Sequence, residues 1–480
     1  MRRVALALVL LPALRLGAQR TRPADPSAGL IASIDARAAH YTDVEQQIWR
    51  FAEVGYQEVQ SSALLQKELV AAGFAVKSGV AGIPTAFVAE YGSGKPVIGI
   101  LGEFDALPGL SQDSVPVQRP LVAGAAGHGC GHHLLGTASL ASAVALKEWM
   151  IANRIPGTLR FYGTPAEEGG AGKVYMVRDG LFDDVDAVIA WHPGDRNGVM
   201  GISSLANISG KFRFHGISAH AAGAPDVGRS ALDAVEAMDA MVNLMREHVP
   251  QETRIHYVIT NGGRAPNVVP DFAEVYYVVR HPDMRTLDQI WGRVTDAAKG
   301  AALGTGTTYD LAITGAVYNL LVNQTLAKVQ QRALERVGGY RYTDAERSFA
   351  ETLRAALPAT SVPLESVQQV QPLAFAPGAM SASTDVGDVS WRVPTVQMDA
   401  ATWVPGTPAH SWQAVAAGGM SIGSQGMLVA AKTMAITGAE LFTSPATLAA
   451  AKAELDASRG PSFAYRTRLG TQKPALDYRK

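Results

Sequence analysis

Between residues 85 and 191 the chain alternates short β-branched or aliphatic runs with helix-forming stretches, and that alternation narrows the fold more than any other feature. Strands are expected at Thr85–Tyr91, Val97–Leu101, Thr158–Tyr162 and Ala187–Trp191, with helices over about 134–153 and 171–179 between them. Strands separated by helices argue for a mixed, mainly parallel sheet sandwiched by helices, an α/β architecture. In open sheets of this kind ligands bind beyond the carboxyl ends of the strands. Asp105, the pair Glu167-Glu168 and His192 each follow the end of a predicted strand. Three separate segments therefore deliver a carboxylate or an imidazole to one rim.

The same rim receives Gly-His-Gly-Cys-Gly-His-His, residues 127–133, which holds the single cysteine and three of the eleven histidines. A cysteine thiolate and neutral imidazoles suit zinc and its first-row neighbours, and the glycines let the backbone turn tightly enough for Cys130 and His132 to face one ion. Two ligands are too few. Of the adjacent acids, one can coordinate while the other takes a proton from water that the metal activates, so Glu168 reads as a ligand and Glu167 as a general base. His192, in Trp191-His192-Pro193-Gly194, and His410, in Thr407-Pro408-Ala409-His410-Ser411-Trp412, complete the candidates. Each has an ordinary reading when taken alone: a small buried cysteine, a solvated acidic turn, a strand-end histidine, a loop histidine. Together Cys130, His132, Glu168, His192 and His410 make five ligands, enough for a dinuclear centre with one bridging group.

From about residue 207 the pattern changes to strand 208–215, helix 229–248, strands 255–260 and 272–280, helix 286–301 and strand 306–313. This β-α-β-β-α-β order is the ferredoxin-like module. It predicts a second α+β domain, 207–316, inserted between catalytic segments 29–206 and 317–445. A helix is expected over 31–53, then another with Ser61 and Ser62 at its start and Gly73 at its end. A strand at 393–398 and an Ala-rich helix at 413–439 follow, and the polar tail, 446–480, is expected to pack weakly.

A formal net charge of −1 and the absence of a basic run argue against nucleic acid, and one cysteine excludes an intramolecular disulfide. Arg2 and Arg3, the apolar run Val4–Leu14 and Leu16-Gly17-Ala18 have the plan of a secretory signal, residues 1–18. The run is short for a membrane span; an anchor is the alternative to export into the periplasm or medium, and no membrane contact is expected once the signal is removed. Two further motifs mislead. Gly419-Met420-Ser421-Ile422-Gly423 fits a serine-hydrolase elbow but sits in a helical pattern with no histidine after it. Gly92-Ser93-Gly94-Lys95 lacks the glycine spacing of a phosphate loop.

The motifs Asp105-Ala106-Leu107-Pro108, Gly127–Gly136, Pro165–Gly170 and Ser218-Ala219-His220-Ala221 occur in this order. The chain resembles the dinuclear metallo-amidohydrolases that include aminoacylases, indole-acetyl-amino-acid hydrolases and glutamate carboxypeptidases. Through Ser383–Trp391 it is most similar to their aminobenzoyl-glutamate hydrolase branch. The resemblance implies two divalent ions per chain (zinc, manganese or cobalt) with Cys130 bridging, Glu167 as base and acid, and Asp105 orienting a histidine ligand. Glu103 stands where the carboxypeptidase branch has a histidine ligand, and His133 is not counted as one. The inserted domain becomes a lid and homodimerisation domain. Its His220 would reach a neighbouring active site and polarise the scissile carbonyl, while Asn267 and Arg280 would bind substrate oxygens. The implied reaction is hydrolysis of an N-acyl or N-aroyl amino acid with a free carboxylate. The alternatives are a dipeptidase or carboxypeptidase on the same site, a Cys130–His thiol hydrolase, and a binding protein without catalysis.

Overall fold

The computed structural model describes residues 25–479; the predicted signal segment, 1–18, lies outside them. Helices α1 (Ser27–Asp35), α2 (Ala38–Phe51) and α3 (Val59–Ala71) lead into strands β1 (Ala75–Ser78), β2 (Phe87–Ser93) and β3 (Val97–Gly102). Helix α4 (His132–Asn153), β4 (Gly157–Gly163), α5 (Gly172–Arg178), β5 (Ala187–Gly194) and β6 (Gly198–Val199) follow. The single helix expected over 31–53 is two, because the chain turns between Asp35 and Ala38. Ser61 and Ser62 are buried inside α3 rather than at its start. The start is capped instead by Glu53, whose carboxylate accepts from the Gln60 and Ser61 amides at 3.0 and 2.9 Å.

The next segment contains β7 (Ala206–His215), α6 (Ala231–Met245), β8 (Arg254–Asn261), β9 (Phe272–His281), α7 (Met284–Thr305) and β10 (Thr308–Val317). The chain ends with α8 (Gln324–Val337), α9 (Asp344–Arg354), α10 (Val386–Arg392), β11 (Thr395–Ala401), α11 (Trp412–Gly418), α12 (Ser421–Thr443) and α13 (Pro445–Arg459). The helix expected over 413–439 is broken: α11 and α12 meet at 72°.

Seven strands form the first sheet in the order β1-β2-β4-β3-β5-β11-β6. The inner four, β4, β3, β5 and β11, are parallel, and the flanking pairings are antiparallel. Side chains of β5 alternate between two cores: Ala187, Ile189 and Trp191 pack on one face, Val188 and Ala190 on the other. Both faces are covered, which is why these strands read as unbroken apolar runs. Helices α4 and α12 lie on one face, α5 and α10 on the other. Small residues let α4 lie close to the sheet, and Ser139 Oγ donates to the Leu101 carbonyl at 2.6 Å.

The second sheet is antiparallel, in the order β10-β7-β9-β8, the ferredoxin-like arrangement expected from the element order. Helices α6 and α7 cover one face, burying Phe212, Tyr277 and Val279. The uncovered face carries polar side chains, and one end of it closes over the rim of the first sheet.

Candidate metal centre and active-site cavity

The inner strands β4, β3 and β5 end side by side, and the segments that leave them supply the chemistry. Asp105 follows β3, Glu167 and Glu168 follow β4, His192 lies near the end of β5, and His410 precedes α11. Cys130 and His132 arrive with the first turn of α4. Gly131 is needed there: its φ is +79°, and a Cβ would lie 2.8 Å from Pro193 Cβ.

The ligand atoms converge as two overlapping triads. Cys130, His132 and His192 offer atoms within 4.8 Å of one another, and so do Cys130, Glu168 and His410. Cys130 belongs to both. Neighbours orient each imidazole: His132 Nδ1 lies 3.0 Å from Asp105 Oδ1, and His192 Nδ1 lies 2.7 Å from the Pro193 carbonyl. Donation from Nδ1 leaves each Nε2 as a lone-pair donor facing inward. The second oxygen of Asp105 accepts from the Glu168 amide at 2.9 Å, so one buried carboxylate orients a histidine ligand and the backbone of a carboxylate ligand.

The donor set fits divalent metal. His132 Nε2, Glu103 Oε2 and Glu168 Oε1 are buried and make no hydrogen bond among the described residues. Yet His132 Nε2 lies 3.1 Å from Glu103 Oε2, and His410 Nε2 lies 3.0 Å from Glu168 Oε1. Close approach of ligand-type atoms, three of them buried and without a hydrogen bond, is what ligands around one cation show. The local field agrees. Burial alone would depress His132, but Cys130, Asp105 and Glu103 hold it well above the ordinary imidazole range. Burial lifts Glu168, and the neighbouring His410 and His132 more than reverse that. His133 is not in the cluster; its Nε2 bonds the Gly418 carbonyl at 3.1 Å.

Glu167 is half-buried beside the cluster, within reach of Glu103 and His132. Burial pushes its carboxyl well above the ordinary range, and the charges of Glu103, Glu168 and Asp385 add to that. A buried Lys173 balances these acids, its ammonium 2.7 Å from Glu103 Oε1 and 2.6 Å from Asp385 Oδ1. Sequence patterns do not mark Glu103, Lys173 and Asp385 as a unit. Asp385 stands out only within a family motif, and Lys173 only as one residue of an expected helix.

A cavity of about 640 Å³ opens between the two sheets. Cys130, Glu167, Glu168, His192 and His410 line one wall, and Ser209, Tyr276 and Arg280 of the second sheet line the other. The Arg280 guanidinium has no hydrogen bond or ion pair among the described residues, so its fork is free for an anion. His220 and Asn267 are elsewhere. Arg280 pairs with Asn207 at the cavity end of the sheet, whereas Phe272 pairs with His215 at the other end. Eight residues of strand separate these ends, about 26 Å. His220 and Asn267 lie beyond the far end and zip together there, with the Ala221 amide donating to the Asn267 carbonyl at 3.1 Å. One chain therefore does not bring Asn267 and Arg280 together. His220 is exposed, and its Nδ1 accepts from the Gly223 amide at 3.0 Å, so Nε2 carries the proton.

Residues 99–413 match the family model described as peptidase family M20/M25/M40. The chain belongs to that family. It is 44% identical over 423 residues to one of the subunits of the p-aminobenzoyl-glutamate hydrolase of Escherichia coli (strain K12), a match covering 83% of this chain and 88% of that protein. It is 30% identical to the Xaa-Arg dipeptidase of Mus musculus, covering 66% and 75% of the two chains. A Bacillus subtilis structure described as a dinuclear metal binding peptidase from the M20 family superposes with a TM-score of 0.57 at 18% identity, over 85% of this chain and 99% of that one. As a member of this metallopeptidase family the chain is a hydrolase acting on amide bonds, and its fold is that of its M20 neighbours, a catalytic α/β unit with a lid.

The C-terminal tail departs most from expectation. Ala451 and Leu455 of α13 are buried, as is Leu469 beyond it. Tyr465 donates to the buried Asp388 at 2.7 Å. Tyr478 Oη and Arg479 Nη2 donate to the Glu168 carbonyl at 3.0 and 2.9 Å. Ala451 and Leu455, one turn apart, seat α13, and aromatic and arginine contacts dock the segment after it.

Proposed function

We propose that this chain hydrolyses the amide between an acyl or aroyl group and an amino acid with a free carboxylate, and that an aminobenzoyl-glutamate is within its substrate range. The observation that carries this reading is the pair of donor triads sharing Cys130, beside Glu167 and across a cavity from an unpaired Arg280. The E. coli relative supports the choice of substrate.

In this reading Cys130, His132 and His192 hold one divalent cation, and Cys130, Glu168 and His410 hold a second. Bound there, such a pair supplies Lewis acidity and lowers the pKa of water. The remaining roles belong to the protein. Glu167 takes the proton of the attacking water and returns it to the leaving amine; its raised carboxyl pKa favours the proton-holding half of that cycle. Arg280 pairs with the substrate carboxylate through two parallel hydrogen bonds. His220, with Nε2 protonated, donates to the carbonyl oxygen as negative charge develops. Because His220 lies beyond the far end of the sheet, itself about 26 Å from Arg280, it acts in the cavity of a second chain. The homodimer is the first candidate. The E. coli relative is named as one subunit of its hydrolase, which makes a related but different partner chain the second.

A dipeptidase reading is favoured by the mouse relative and uses the same residues on a different acyl group. A thiol-hydrolase reading is disfavoured: burial and the nearby glutamates push the Cys130 thiol up, whereas a nucleophilic cysteine needs a depressed pKa. The test is metal content together with turnover of benzoyl-glutamate, aminobenzoyl-glutamate and a panel of dipeptides, before and after chelation. About two divalent ions per chain, with activity lost on chelation and restored by zinc, manganese or cobalt, is the expected result. Chelator-resistant turnover sinks it. Export is part of the same proposal, and a mature N-terminus near Gln19 in extracytoplasmic protein is its check.

A further inference from the structure

The loop that carries Glu167 and Glu168 is held in an unusual backbone. Ala166 and Ala171, at either end, have φ of 57° and 56°, and Gly169 has 92°. A turn with two alanines in the left-handed region keeps its shape only if its surroundings impose it. Four attachments from outside the loop do so. The Ala166 amide donates to Glu58 Oε1 at 2.8 Å, and the Glu168 amide to Asp105 Oδ2 at 2.9 Å. Tyr56 Oη donates to the Gly170 carbonyl at 2.6 Å. The fourth attachment comes from the tail, where Tyr478 and Arg479 both donate to the Glu168 carbonyl.

The tail is itself seated by the segment that holds the other end of the loop. Gln57 Nε2 donates to the Leu476 carbonyl at 2.7 Å. The rings of Tyr56 and Tyr478 pack edge to face with centroids 5.5 Å apart. Gly55 makes the room: a Cβ there would lie 2.2 Å from Tyr478 Oη and 3.0 Å from Ala166 Cβ. Residues 55–58 and 476–479 thus grip the loop from two sides.

We propose that the segment Leu476–Arg479 is a positioning clamp of the active site, which fixes the backbone of Glu168 and so aims its carboxylate, with His410 and Cys130, at one of the two cations. The clamp does not touch substrate. It acts through Glu168, so its removal weakens one cation and spares the one held by Cys130, His132 and His192. This rests on the dinuclear reading above, and the test separates the two.

The full chain and its Tyr478→Phe/Arg479→Ala variant are titrated with manganese, and amide hydrogen exchange of residues 165–171 is followed in both. The expected result is at least tenfold faster exchange at Glu168–Gly170 and at least tenfold weaker binding of one ion, with the other unchanged. The kcat lost at limiting metal returns at saturating metal, and KM does not move. Gln57→Ala, which removes the seat of Leu476 and makes no contact with the loop, moves exchange and affinity in the same direction, while Arg479→Lys, which keeps a donor, retains parental values. Exchange and both affinities within twofold of the parent in the double variant overturn the clamp. If the double variant does not fold, Gln57→Ala decides by the same readouts. A parent that binds no manganese counts against the dinuclear reading, and loop exchange still decides the clamp.

Discussion

The two ends of the second sheet face different problems. At the cavity end, Arg280 looks across at a rim where three of the five proposed ligands are oriented by their own chain: His132 by Asp105, His192 by the Pro193 carbonyl, Glu168 by Asp105 and the tail. At the far end, His220 and Asn267 are joined to each other and to nothing catalytic. The rim is preorganised within one chain, which is what electrostatic catalysis in a buried site demands. The far end holds its groups ready, with the His220 tautomer already selected, and lacks an object. On the proposed reading, the difference teaches that proton and metal chemistry would come from one chain and carbonyl polarisation from assembly.

The strongest way to break that contrast is to remove the base from the rim. Glu167→Gln keeps the shape and removes the proton acceptor, so kcat should fall by up to about 10⁴-fold while metal content stays at the parental level. Unchanged turnover on the best substrate would remove Glu167 from the mechanism. His220→Ala tests the far end. Loss of one donor to a developing oxyanion costs about 10²–10³-fold in kcat. Mixing the two variants discriminates sharply: in a symmetric dimer with shared sites, a mixed pair has one site with both Glu167 and His220. Random pairing should restore about a quarter of parental activity. Recovery no greater than the sum of the separate variants would confine His220 to its own chain or to no role.

The same contrast explains how much the sequence reveals by itself. The rim is legible because its residue types are scarce and chemically committed: one cysteine, histidines set among glycines, acids beyond strand ends. The alternation of strands and helices puts them on one edge, and the strand order of the second sheet follows from its β-α-β-β-α-β pattern. Three things are not legible. Lys173 and Asp385 are a buried ion pair, and no local pattern marks a lysine as buried when its partner lies in a distant helix-forming segment. The tail docks through Tyr465, Tyr478 and Arg479, whose spacing has neither a strand nor a helix period. Asn267 and Arg280 look close in sequence, but most of the interval is the extended strand β9, which carries them apart. In each case the missing information is a long-range partner rather than a propensity.

A smaller effect is expected one layer out from the proposed ligands. Asp105 accepts from both His132 and the Glu168 amide, and these interactions hold its carboxyl low against the burial that would raise it. Asp105→Asn leaves one acceptor oxygen for two donors and turns an N–H towards one of them. Metal affinity should weaken by about 10–100-fold, with kcat recovered at saturating metal. Isothermal titration with manganese reads this directly. An unchanged affinity would show that the backbone turn alone orients His132.

The smallest effect belongs to the open face of the second sheet, away from the rim. Glu274 accepts from Arg213 Nε at 2.8 Å and from Thr260 Oγ1 at 2.7 Å, with Lys211 Nζ 3.1 Å away. Burial works to raise its carboxyl, but these donors outweigh it and bring the pKa down to about 2 from 4.5. A folded-state value below the ordinary one means that the network stabilises the sheet fully above about pH 4.5 and loses that contribution as the pH falls towards 2. Glu274→Gln should therefore cost about 1–2 kcal/mol of stability at pH 7 and progressively less in acid, with kcat unaffected at either pH. Two acids at the first sheet run the other way: desolvation pushes Asp388, buried on α10, and Asp399, half-buried on β11, up to about 7, so their ionisation works against the fold as the pH rises from about 4 to 7. Thermal melts of the parent and Glu274→Gln at pH 3, 5 and 7 separate the two senses. A destabilisation of the variant that does not shrink in acid would show that Glu274 holds the sheet by packing rather than by charge.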